Sequence, residues 1–121
     1  MTKVVHFELP ADDPDRAIAF YETVFGWKID KWGGPMDYWL VEAGDPDEPG
    51  INGAIGRRGE MNATGMTIGV ASVDDFVDRI IAAGGKIVMP KMAIPGIGYS
   101  ALYEDTEGNI VGIMQDDPTA Q

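Results

Sequence analysis

The sequence predicts an α+β fold of two sequential βαβββ modules, and three observations carry the prediction. The first is an internal repeat: Lys28-Ile29 recurs as Lys86-Ile87, 58 residues later, each time behind a glycine that ends a helical segment. A unit of roughly 60 residues is too long for a solenoid repeat and suits one βαβββ module. The second is helical periodicity at two places, residues 15–25 and 74–83, each bounded by capping residues. The third is a series of short apolar segments between Gly, Pro and Asp clusters, which read as strands and turns.

The opening residues Val4 to Pro10 alternate and read as a strand, with Val4, His6 and Glu8 on one face and Val5, Phe7 and Leu9 on the other. Asp13 is placed to cap the following helix, with Pro14 in the first turn where its missing N–H costs nothing. Ala17, Phe20, Tyr21, Val24 and Phe25 form an apolar stripe at helical spacing, and Gly26 sits where a left-handed C-cap ends the helix. Residues 27–31 and 37–42 read as strands around Gly33-Gly34-Pro35, and residues 51–57 as a further strand after the loop at 44–50.

The second module repeats the plan. Residues 67–73 read as its first strand and Asp74 as its helix cap; Phe76, Val77, Ile80 and Ile81 form the stripe, which Gly84 or Gly85 ends. Residues 86–89, 99–103 and 109–115 complete the strands, with Pro90, Pro95 and Gly96 bracketing a longer excursion, and the segment Met92 to Tyr99 could serve as a lid. One domain is expected over 1–121: module 1 at about 1–58, a linker at about 58–65, module 2 at about 66–115, and a polar, mobile tail at 116–121.

Composition narrows the function classes. A length of 121 residues suits one core, and 45% apolar with 24% charged residues is ordinary for a globular protein. No apolar run approaches the roughly 20 residues that span a bilayer, and the opening residues lack a signal-peptide h-region, so no membrane partner is expected. With no cysteine, disulfides and thiol catalysis are excluded, which fits a cytoplasmic location. A net charge of −11, with Arg57-Arg58 the only adjacent basic pair, argues against nucleic acid.

The run Asp13-Pro-Asp-Arg-Ala-Ile-Ala-Phe-Tyr-Glu-Thr-Val-Phe-Gly-Trp resembles the first-helix signature of the vicinal oxygen chelate superfamily, which groups glyoxalases, bleomycin-resistance proteins and dioxygenases. Val73-Asp-Asp, Ala83-Gly-Gly-Lys-Ile and Asp105-Thr-Glu-Gly-Asn extend the resemblance over nearly the whole chain, with Thr106 where the family turn usually has proline. The resemblance implies an open mixed-sheet cup with a helix outside each sheet, a small organic ligand in the cup, and a homodimer. Metal-dependent members hold a divalent cation on four ligands, one on the first and one on the last strand of each module.

Carried over residue by residue, only His6 matches a ligand position. Ile68 falls opposite His6 at an offset of 62, Gly112 falls where a catalytic glutamate is expected, and Asn52 is at best a weak ligand. One histidine in the chain also excludes a two-His-one-carboxylate iron centre within a protomer, and with it extradiol dioxygenase chemistry. The expectation is therefore no metal and no other cofactor, an oxygen-ligated divalent ion being the disfavoured alternative. The ligand pocket is placed on His6, Glu8, Ile68, Tyr99, Gly112 and Met114, with His6 the weak candidate for a catalytic group and Trp32, Tyr38, Trp39 and Tyr99 as possible stacking surfaces. Three functions compete: a metal-independent small-molecule binder, a divergent glyoxalase-like lyase or isomerase, and a non-catalytic interaction or regulatory domain.

Overall fold

The computed structural model describes residues 2–59 and 65–121. The chain forms two compact units, His6–Gly65 and residues 2–5 with Met66–Gln121. Residues 60–64 of the expected linker lie outside the described residues. The start of the chain groups with the second half because the Gly69 N–H donates to the Lys3 carbonyl at 2.9 Å.

In the His6–Gly65 unit, β1 (Val4–Ala11), β2 (Lys28–Lys31), β3 (Tyr38–Glu42) and β4 (Gly53–Arg57) run in the order β2-β3-β4-β1, with β1 and β4 parallel and the other pairs antiparallel. Helix α1 (Pro14–Phe25) crosses from β1 to β2. Its ends are those the sequence marks: Asp13 accepts from the Arg16 N–H, Pro14 lies in the first turn, and Gly26 takes φ 70° in the left-handed region. Ala11, Ile29, Val41 and Ile55 make the core, packed by Phe7, Leu9, Ala17, Ile18 and Tyr21.

The phase of the helix differs from the expected stripe. Pro14 is buried at the start, so the face that continues from it is Ala17, Ile18 and Tyr21. Phe20, Val24 and Phe25 are each more than half exposed. Two overlapping i, i+3, i+4 series run through this helix, and burial of the first turn selects between them.

The second unit repeats the topology, with β5 (Met66–Gly69), α2 (Val73–Ala82), β6 (Lys86–Ile94), β7 (Gly98–Glu104) and β8 (Ile110–Asp116) in the strand order β5-β8-β7-β6. Val70, Val73, Ala101 and Ile113 form its core with Phe76, Val77 and Ile80 of α2, while Ile81 is exposed. Among the described residues, two helices and eight strands with mixed pairing thus give the expected α+β class.

Three local expectations change in this unit. Its helix cap is Ser72, whose hydroxyl accepts from the Asp75 N–H at 3.2 Å, not Asp74. Strand β6 runs through Pro90 to Ile94 with two register shifts, so the expected excursion is a β-hairpin. Pro90 is tolerated because β6 is the edge strand of its unit, and Ile94-Pro95-Gly96-Ile97 closes as a turn with Gly96 at φ 76°. The C-terminal residues are docked: Ala120 is buried, its carbonyl accepts from the Gly96 N–H at 2.9 Å, and the Asp117 N–H donates to the Ile97 carbonyl at 2.9 Å.

Candidate functional site

Alternation on β1 sends Phe7 and Leu9 into the core beneath α1 and leaves His6 and Glu8 on the opposite, open face of the sheet. Register carries that face across the unit. Glu8 pairs with Ala54, which pairs with Leu40, while Pro10 pairs with Gly56, which pairs with Tyr38. Small residues on β4 leave room above it, and the Tyr38 side chain crosses to β1. His6 Nε2 and the Tyr38 hydroxyl oxygen share a hydrogen bond at 2.9 Å, their rings 6.5 Å apart and 21° from parallel.

Burial governs the protonation of this cluster. It holds the His6 imidazole below its ordinary value of 6.5 and pushes the Glu8 carboxyl above 4.5, each time by disfavouring the charged form. The Tyr38 phenol is pushed far up by burial and then by the negative charge of Glu8. At neutral pH both members of the hydrogen bond are uncharged. Among the described residues no cation pairs with the Glu8 carboxylate, since the four ion pairs are Lys31–Asp37, Arg57–Asp37, Arg58–Asp12 and Lys91–Asp74.

Tyr38 is held from its own strand's start. Asp37, immediately before it, is clamped by Lys31 and Arg57, each at 3.2 Å, and these cations keep its carboxyl below the ordinary range. The Trp32 N–H donates to the Tyr38 carbonyl at 2.7 Å, which closes the β2–β3 connection behind it.

The other expected pocket residues belong to the second unit and divide between its two faces. Ile68 pairs with Ile113 and packs on the α2 side with Tyr99, whose ring also carries Lys91 Nζ at 4.4 Å from its centroid. Gly112 pairs with Thr67 and Met114 with Gly69, so these two occupy the opposite face. The reason is parity. The caps Asp13 and Ser72 lie 59 residues apart, whereas the expected strand offset is 62, and the odd difference between the two moves a strand residue to the other face. At the true offset Thr67, not Ile68, is the counterpart of Glu8. Tyr38, expected only as a possible stacking surface, also hydrogen-bonds His6, a contact that depends on register through three strands.

The four-ligand metal set does not fit the residues present. Neither Ile68 nor Gly112 carries a donor atom, and His6 Nε2 is already engaged by Tyr38. Among the described residues no three His, Asp or Glu side chains gather to hold an ion. Gly112 is also a packing position, since a Cβ there would meet Thr67 Oγ1 at 2.9 Å.

Two four-stranded βαβββ units, one with a polar cluster on its open face, define a duplicated-module α+β protein. The chain is similar to members of the glyoxalase/bleomycin resistance/dioxygenase superfamily. Residues 3–44 match the family described as bleomycin resistance protein-like N-terminal. Over 113 residues the chain is 29% identical to CFP32 of Mycobacterium bovis and Mycobacterium tuberculosis, a protein provisionally named a glyoxylase, covering 92% of this chain and 43% of CFP32. The chain therefore spans less than half the length of these relatives. A Streptomyces coelicolor methylmalonyl-CoA epimerase variant, solved with 2-nitronate-propionyl-CoA, shares the fold at TM-score 0.72 and 15% identity, covering 100% of this chain and 99% of that one. A superfamily member from Vibrio splendidus 12B01 does so at TM-score 0.66 and 14% identity, over 97% and 100% of the two chains. Among the described residues no helix is long and apolar enough to cross a membrane.

Proposed function

We propose that the chain binds a small organic molecule on the open sheet face of the His6–Gly65 unit, without a divalent cation. His6 and Tyr38 orient the molecule there, and Glu8 accepts a hydrogen bond from it. The observation that carries this reading is the His6–Tyr38 hydrogen bond beside a desolvated carboxylate that pairs with no cation among the described residues. Burying a carboxylate without a partner is costly, and a ligand donor offsets that cost. The test is calorimetric titration of the whole chain with a panel of small hydroxy, keto and thioester compounds, propionyl-CoA among them. The reading expects a binder whose affinity falls at least tenfold in Glu8→Gln and His6→Ala. Equal affinity for both variants would place the site elsewhere.

A second reading is favoured by the protonation of Glu8. A carboxylate made more basic by burial suits proton abstraction beside a carbonyl, the chemistry of a divergent lyase or isomerase. It predicts solvent-deuterium exchange at the carbon next to the carbonyl of a bound compound, abolished in Glu8→Gln.

A further inference from the structure

Trp32 stands outside the logic of the core. Trp27 and Trp39 pack against the cluster beneath α1, but Trp32 does not. It lies in the β2–β3 connection and is only partly buried. Lys31 pairs with Trp39, and the Trp32 N–H bonds to the Tyr38 carbonyl, so Trp32 and Tyr38 form the next opposed pair and share a face. That face is the one bearing His6 and Glu8.

The indole is held in place from two sides. Its six-membered ring lies over Gly34, where any Cβ would overlap it. Its edge meets the Tyr38 ring in a T-shaped contact, with centroids 5.9 Å apart and planes at 73°. The result is a fixed, partly exposed aromatic surface that runs from Trp32 through Tyr38 to His6, with the Glu8 carboxylate, which pairs with no cation among the described residues, close enough to act on Tyr38. A rigid aromatic side chain offers contact area at little entropic cost, and its π face prefers another flat ring to a saturated one.

We propose that Trp32 is the specificity-determining wall of this face and selects molecules that carry a flat aromatic ring with a hydroxyl group. The ring meets Trp32 and Tyr38, and the hydroxyl donates to Glu8. This rests on the preceding assignment of the ligand to the His6 face and adds the class of ligand.

The test pairs two probes of similar shape, 4-methylphenol and its saturated counterpart 4-methylcyclohexanol, titrated calorimetrically into the whole chain and three variants. The unaltered chain should bind the phenol about fivefold more tightly, the size of one favourable aromatic contact. Trp32→Ala should bring the two probes within twofold of each other, and Trp32→Phe should retain most of the preference. Gly34→Ala, which keeps the indole but displaces it, should behave as Trp32→Ala does. Equal binding of both probes by the unaltered chain, or a preference that survives Trp32→Ala, overturns the role of Trp32 while leaving the His6 face intact as a site. Binding of neither probe overturns both.

Discussion

His6 on β1 and Tyr38 on β3 reach one another across β4, Nε2 to hydroxyl oxygen at 2.9 Å, because the strand between them presents only Ala54 and Gly56 on that face. The bond joins two neutral groups beside a carboxylate, and its consequences can be measured one at a time.

Removing the phenolic hydroxyl leaves the ring packing and takes away the bond. Tyr38→Phe should cost about 1 kcal/mol in urea unfolding, the usual net worth of such a bond. Loss of ligand affinity without comparable loss of stability would show the hydroxyl contacting the ligand directly.

The two half-buried titratable groups act on stability with opposite signs. Below 6.5, and down to the lowered value of His6, the unfolded chain binds more protons than the folded one, so His6 makes stability rise with pH through that window. Above 4.5, and up to the raised value of Glu8, the folded chain binds more, so Glu8 makes stability fall as pH rises. Urea unfolding from about pH 4 to about pH 7 should therefore show the unaltered chain losing stability relative to Glu8→Gln as pH increases. A constant difference would mean that Glu8 is not desolvated.

Gly53 fixes the spacing of β1 and β4. A Cβ there would overlap the Phe7 carbonyl and crowd its ring, so Gly53→Ala should destabilise by about 1–3 kcal/mol through overpacking. Chemical denaturation checks this, and an unchanged midpoint would mean that the two strands have slack.

The second helix offers a direct contrast between two candidate caps. Ser72→Ala should cost about 1 kcal/mol, while Asp74→Ala, which loses only an exposed pair with Lys91, should cost about 0–1 kcal/mol. Similarly, deleting residues 117–121 should expose the Gly96 amide to hydrogen exchange, because its acceptor is the Ala120 carbonyl.

Legibility in the sequence followed the range of the interactions. Asp13-Pro14 and Gly26 marked the first helix because caps are local, and Lys28-Ile29 with Lys86-Ile87 exposed the duplication. The second cap was misread because Ser72 and Asp74 both satisfy the local pattern. Independently of the cap, the strand offset of 62 put Ile68 opposite His6, although Ile68 packs beneath α2. His6 and Glu8 were readable by alternation on one strand. Tyr38 was readable only as a possible stacking surface; its bond to His6 was not, since its reach depends on two small residues of a strand it does not follow in sequence. The docking of Ala120 was hidden for the same reason: a polar tail carries no sign of the backbone groups that hold it.

The chain's single histidine makes the most direct measurement simple. In a protein labelled with nitrogen-15 histidine, every imidazole signal belongs to His6, and any small molecule that stabilises the protein can be titrated while that signal is watched. The account predicts that such a molecule shifts the His6 Nε2 resonance, and that the shift is lost in Tyr38→Phe or Glu8→Gln. A molecule that binds stoichiometrically and leaves the His6 resonances unmoved would contradict it.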